Sequence, residues 1–168
     1  SQFIQEGENT LSVKLTNKEF ASRWYPGAGL YRKVSVIIKN NESIDQWGQF
    51  ITTPFISDAV AKVNIKTKAS GENTRLVTTI FDAEGHKVSA EESSLRFGKE
   101  FDQNLKVENP KLWSPETPYL YKAVAQLYVG NELKDEVATR FGIREIKYEA
   151  NKGFSLNGKV TKFKGVCL

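Results

Sequence analysis

Residues 119–142 read Y-L-Y-K-A-V-A-Q-L-Y-V-G-N-E-L-K-D-E-V-A-T-R-F-G. Tyr121, Ala123, Ala125, Leu127 and Val129 share one parity, with Lys122 and Gln126 between them. Val137, Thr139 and Phe141 alternate with Glu136, Ala138 and Arg140. Successive side chains on a strand point to opposite faces, so each run has one dry face and one wet face. Gly130-Asn131 between the runs is turn chemistry. The stretch predicts two antiparallel strands, 119–129 and 132–141.

The same period extends upstream. Ala61, Val63 and Ile65 alternate with Lys62, Asn64 and Lys66, and Phe101, Leu105 and Val107 with Asp102, Asn104 and Lys106. Turn signals at Ser70-Gly71-Glu72-Asn73 and Asp82-Ala83-Glu84-Gly85 punctuate the runs. Further strands are expected near 49–53, 60–68, 75–81, 87–93 and 99–108. About seven short strands with regular breaks make an all-β, immunoglobulin-like antiparallel β-sandwich. No sustained helical period is present.

Segments outside that unit read differently. Residues 11–38 are expected to form two strands around an irregular loop, with Leu11, Val13 and Leu15 alternating with Ser12, Lys14 and Thr16. Two strands alone are marginal in water, so they need another sheet or the sandwich. Residues 39–46 (K-N-N-E-S-I-D-Q) are polar and read as a linker. Near the end, Asn157-Gly158 lies between apolar-alternating segments, a strong hairpin signal because both turn residues need positive φ. The apolar run Gly165-Val166-Cys167-Leu168 ends the sequence abruptly, as expected of a piece of a longer protein.

Composition narrows the function classes. The chain has 168 residues, 39% hydrophobic and 26% charged, which are globular values. No run approaches the eighteen or so apolar residues of a membrane-spanning helix. The single cysteine, Cys167, and single histidine, His86, argue against a disulfide framework, a cysteine-based metal cage and a Ser-His-Asp or Cys-His engine. His86 falls in a predicted turn and reads as a solvated surface residue. From Arg140 onward seven basic residues face two acids, which concentrates the net charge of +4 in the tail. The basic residues are spread through strand-like segments without interleaved exposed aromatics, which favours a solvated or partner-facing strand over a nucleic-acid surface.

Three stretches have more character than a generic sandwich needs. They are S-R-W-Y-P-G-A-G-L-Y-R at 22–32, N-P-K-L-W-S-P-E-T-P-Y-L-Y at 109–121, and F-G-I-R at 141–144 followed by G-F-S-L-N-G-K at 153–159. In this order the chain resembles glycoside hydrolase family 2, the β-galactosidase and β-glucuronidase family. The resemblance implies residues 1–44 as closing strands of a jelly-roll sugar-binding-like domain plus linker. It implies 45–142 as the whole immunoglobulin-like sandwich, and 143–168 as the lead-in to a (β/α)8 catalytic barrel not contained in these residues. The parent would then be a β-glycosidase, with β-galactosidase the favoured specificity and this part of it inactive. The implied partners are the other domains of the parent, with carbohydrate bound only by the full-length protein. Neither nucleic acid, membrane nor cofactor is implied, and the cellular address is open.

No catalytic residue is expected within these residues. Glycoside hydrolysis needs two carboxyl groups flanking one bond, and an adjacent pair such as Glu91-Glu92 on a strand points to opposite faces. The resemblance offers Arg23 and Trp24 as substrate-binding candidates, the guanidinium for hydroxyls or a carboxylate and the indole for a sugar face. The competing reading has both bracing the turn. Trp47 and Trp113 are expected as buried core or interface anchors. Apolar residues of the flanking segments (Leu11, Val13, Leu15, Val34, Val36; Phe154, Leu156, Val166) are expected to lack native cover, which makes self-association possible. The alternative function is a free-standing β-sandwich module that binds carbohydrate or protein.

Overall fold

A computed structural model describes residues 3–16, 29–30 and 32–165. Two compact units divide the chain, Ser1–Ile37 and Ile38–Leu168. The described residues of the first unit carry no strand, so the two strands expected across 11–38 are not found there. Alternation supplies an apolar face, but a strand exists only where a neighbour completes the backbone ladder. Leu11, Val13 and Leu15 in this unit are exposed, as are Val34 and Val36.

The described residues of the second unit hold ten strands: β1 (Ile44–Ile56), β2 (Val60–Ala69), β3 (Thr74–Phe81), β4 (Lys87–Leu95), β5 (Glu100–Glu108), β6 (Tyr121–Val129), β7 (Glu132–Phe141), β8 (Ile146–Glu149), β9 (Gly153–Leu156) and β10 (Lys159–Val160). Strands β1-β2-β5 form one antiparallel sheet and β4-β3-β6-β7 the other. This three-plus-four sandwich is the immunoglobulin-like arrangement. A small third sheet, β10-β9-β8, follows it.

Alternation became burial. On β5 every second residue is buried, and β3 and β6 follow the same rule. Val63 and Ile65 of β2, Leu105 of β5 and Ile80 of β3 share one buried cluster, and Leu76 of β3, Phe101 of β5 and Leu127 of β6 share a second. Each such aliphatic side chain contributes about 1.5–3 kcal/mol by leaving water. Ala61, Ala123 and Ala125 are fully buried as well, and their small size lets the sheets approach. One polar group bridges the layers: buried Gln103 accepts from Thr78 Oγ1 at 2.6 Å and donates to the Leu76 and Glu91 carbonyls at 3.3 and 3.2 Å.

Two expectations about individual residues need correction. The polar run 39–46 is not wholly a linker, because Ile44 opens β1 and is fully buried. Trp47 is not a core anchor: it is 91% exposed. Between the pairs Ile44↔Ala69 and Gln49↔Thr67 the register breaks, and residues 45–48 oppose Lys68 alone. This bulge on an edge strand gives Trp47 a φ of 53° and turns its indole outward.

His86 sits where expected. Its backbone N–H donates to Asp82 Oδ1 at 2.7 Å, and its ring lies in the β3–β4 turn, largely exposed.

Candidate functional site

The connection between β5 and β6 is ordered by side chains rather than by a ladder. Ser114 N donates to the Thr117 carbonyl at 3.0 Å, and Thr117 N returns a bond to Ser114 Oγ at 3.1 Å. The prolines at 110, 115 and 118 limit the remaining backbone freedom. At its far end Tyr119 Oη donates to Glu84 Oε2 at 2.7 Å and accepts from Ala83 N at 3.1 Å. Lys111 Nζ meets the other Glu84 oxygen at 3.4 Å. The Tyr119 hydrogen bond, foremost, holds the Glu84 carboxyl below its ordinary pKa, while the bond from Glu84 raises Lys111. Lys111 N also donates to Tyr121 Oη at 2.9 Å, and burial pushes that phenol up.

The loop thereby carries Trp113 to the end of the sandwich, where four segments meet. Trp113 N donates to the Ile143 carbonyl at 2.8 Å, and Leu112 bridges Ile143 in parallel sense. Ile143 is itself fully buried. Gly142 makes the approach possible: a Cβ there would stand 2.6 Å from Trp113 Cβ. The Arg144 guanidinium lies 4.9 Å from the Trp113 ring centre, and its carbonyl accepts from Thr53 Oγ1 of β1 at 2.8 Å.

Asn157 ties the terminal hairpin to this junction. It and Gly158 have φ of 49° and 76°, the double positive φ that the sequence predicted for the β9–β10 turn. Asn157 Nδ2 donates to the Trp113 carbonyl at 3.0 Å, and Oδ1 accepts from Glu145 N at 2.9 Å. Asn157 N completes the set by donating to the Glu145 carbonyl at 2.9 Å. The hairpin also covers part of itself, since Phe154 packs on Tyr148 and Phe163 with ring centres 5.3 and 4.4 Å apart. Phe154 and Leu156 are therefore half-buried, not bare, whereas Tyr148 and Phe163 remain exposed. Val166 lies outside the described residues.

Beside the junction is a cleft of about 700 Å³, lined among others by Thr52, Trp113, Phe141, Arg140 and Arg144. Its wall is part apolar and part cationic. The arrangement can clamp a polypeptide surface or bind an anion; it contains no pair of carboxyl groups around a shared space.

The sites expected from sequence fall as follows. Arg23 and Trp24 lie outside the described residues. Trp113 is half-buried and is the centre of the junction. Glu91 and Glu92 diverge: Glu91 accepts from Asn104 N at 2.8 Å, while Glu92 pairs with Arg75 at 3.0 Å. Sequence reasoning singled out F-G-I-R and Asn157-Gly158 as motifs but did not see that they converge on Trp113. The missing signal is tertiary, because 44 positions separate Trp113 from Asn157.

The model of the glycosyl hydrolases family 2 matches residues 47–144, from the β1 bulge to the junction arginine. The chain is 38% identical to a β-galactosidase of Bacteroides ovatus, over 95% of its own length and 20% of that protein's. It is 35% identical to a putative β-glucuronidase of Formosa agariphila, over 99% of its length and 16% of the relative's. A solved family 2 glycosyl hydrolase from Bacteroides cellulosilyticus superposes with a TM-score of 0.82 at 34% identity, covering 92% of this chain and 22% of that one. The chain thus spans about a fifth of the length of the relatives it matches. On the residues matched by the family model, the chain belongs to glycosyl hydrolases family 2.

Proposed function

We propose that these residues form a non-catalytic module of a β-glycosidase that hydrolyses O-glycosidic bonds, and that the module sets the relative orientation of its neighbours. On this reading residues 1–44 close a sugar-binding-like jelly roll and 143–168 lead into the catalytic barrel. The observation that carries it is the junction: hydrogen bonds from Thr53, Trp113 and Asn157 fix the lead-in segment to the end of the sandwich. A spacer that set an orientation would need such cross-linking, since an exposed linker alone fixes no angle. A β-galactoside is the favoured substrate because a relative of that name is 38% identical, and a β-glucuronide is the competitor. Arg23 and Trp24 remain the candidates for reaching that substrate from outside the barrel. The exposed apolar residues Leu11, Val13, Val34 and Val36 support the reading that the first segment meets another surface, a neighbouring domain or a second copy.

One observation favours a second reading. Trp47, Phe50 and Phe55 are all exposed along β1, and exposed aromatics on one strand are what a free-standing carbohydrate-binding sandwich presents. Determining the encoded sequence on both sides of these residues separates the two. A barrel-length continuation carrying paired glutamates supports the module; flanks with no such domain refute it.

A further inference from the structure

Positive charge gathers at the junction. Arg140 on β7 stands directly opposite Lys122 on β6 in the antiparallel ladder. Like charges in that position destabilise a sheet. Lys122 rests over the Phe81 ring at 5.4 Å, and Arg144 over the Trp113 ring at 4.9 Å. Among the described residues no carboxylate forms an ion pair with Arg140, Arg144 or Lys122; each salt bridge joins other groups. Glu145, next to Arg144 in the chain, pairs with Lys147 at 2.8 Å, and the acid that lines the adjoining cleft with Arg140 and Lys122 is Asp82. Its two oxygens are engaged by the His86 backbone N–H and ring, at 2.7 and 3.2 Å. The exposed guanidinium groups of Arg140 and Arg144 line one cleft with the Trp113 indole between apolar walls.

We propose that this cleft is a carboxylate receptor, and that its occupant is an acidic side chain, Asp or Glu, on a polypeptide segment of the parent enzyme. The inference rests on the module reading and names the chemistry of the partner at the junction. Stacking on Trp113 orients the Arg144 guanidinium while leaving its N–H edge free, and a planar fork of donors matches a carboxylate in two parallel bonds. The apolar part of the wall, Phe141 and the Trp113 ring among it, suits the stem of a side chain carried on a peptide. A polypeptide acid would also relieve the Arg140–Lys122 repulsion that the isolated chain tolerates.

The probe is a tetraglutamate peptide titrated into the full chain, followed by NMR on the arginine Nε–H and tryptophan indole resonances, with tetraglutamine and free glucuronate as parallel arms. Saturable shifts at Arg140, Arg144 and Trp113 are expected with tetraglutamate and not with tetraglutamine, weakening as salt rises. Arg140→Gln/Arg144→Gln is expected to weaken binding at least about tenfold, the loss of one charge-assisted bond or more, while Lys106→Gln on the far sheet leaves it within about twofold. Thermal unfolding supplies the second readout. Arg140→Gln alone is expected to leave the transition unchanged or raise it, because the group serves a partner and repels Lys122; a lowered transition makes Arg140 a structural residue and overturns the proposal. Absence of localised shifts overturns it, as does tighter binding of glucuronate than of tetraglutamate, which would make the ligand a sugar acid. A failed titration removes the receptor without touching the module reading, which stands or falls on the flanking sequence.

Discussion

Gly142→Ala tests the junction at its tightest point. The added methyl would stand 2.6 Å from Trp113 Cβ, 2.7 Å from Cγ and 3.0 Å from Cδ1. Contacts below 3.0 Å force something to move, and Trp113 Cβ is not the free end of a flexible side chain. Trp113 is held through its N–H to Ile143 and through its carbonyl to Asn157. Overpacking of this kind costs about 1–3 kcal/mol, and each junction hydrogen bond that lengthens removes about 1 kcal/mol more. The reduced freedom of alanine in the unfolded chain returns about 0.4–1 kcal/mol. The net expectation is a loss of about 2–4 kcal/mol, at about 2–4 °C of midpoint per kcal/mol for a chain of this size. Gly165→Ala is the matched control, since a Cβ at Gly165 meets nothing within 4 Å. Urea and thermal unfolding read both variants, with faster amide exchange expected at Ile143 and Asn157 in Gly142→Ala. A Gly142→Ala protein as stable as Gly165→Ala would refute the close packing of Trp113 on this backbone.

Other perturbations follow from named contacts. Trp113→Ala should cost about 2–3 kcal/mol, below the about 3–5 expected for a fully buried tryptophan, because the ring is only half-buried; a cost under about 1 kcal/mol in equilibrium unfolding would remove its anchoring role. Gln103→Ala strands the Thr78 hydroxyl and two carbonyls in the interior, for a loss of about 2–4 kcal/mol, and Gln103→Glu should be no better; hydrogen exchange on β4 and β5 reports it. Glu84 is held below its ordinary pKa in the fold, so its contribution is complete above the unfolded value near 4.5 and is lost as pH falls through the lower folded value. Glu84→Gln should therefore flatten the acid limb of a stability-against-pH curve below about pH 4.5. Trp47→Gly should change stability by less than about 1 kcal/mol, because the indole is 91% exposed and glycine relieves the positive φ; a larger loss would show the bulge aromatic supporting the fold.

Much of the sandwich was legible because a strand with one buried face writes its period into the chain. The alternation of Phe101, Leu105 and Val107 with Asp102, Asn104 and Lys106 gave β5 to within a residue, and Asn157-Gly158 gave the last hairpin. Trp47 was misread because period two cannot register a bulge in which several residues oppose one. Ile44 was hidden in a polar run whose core residue has no apolar neighbour two positions away. The segment 11–16 kept the alternation without a partner strand, and pairing partners lie outside any local pattern. The junction was half-visible: its motifs stood out, but their convergence on Trp113 depends on long-range packing. Arg140 registered only as tail charge, and Arg144 as tail charge and the end of F-G-I-R, because the lack of acid partners is a property of the folded surface.

On the proposed function these residues hold a fold and not a reaction centre. The most direct measurement is turnover of aryl β-galactoside and aryl β-glucuronide by the purified chain, with cooperative unfolding checked on the same sample. The expected result is a cooperative transition and no turnover above buffer for either substrate. Turnover that persists through repeated purification and scales with the folded fraction would show a reaction centre within these residues.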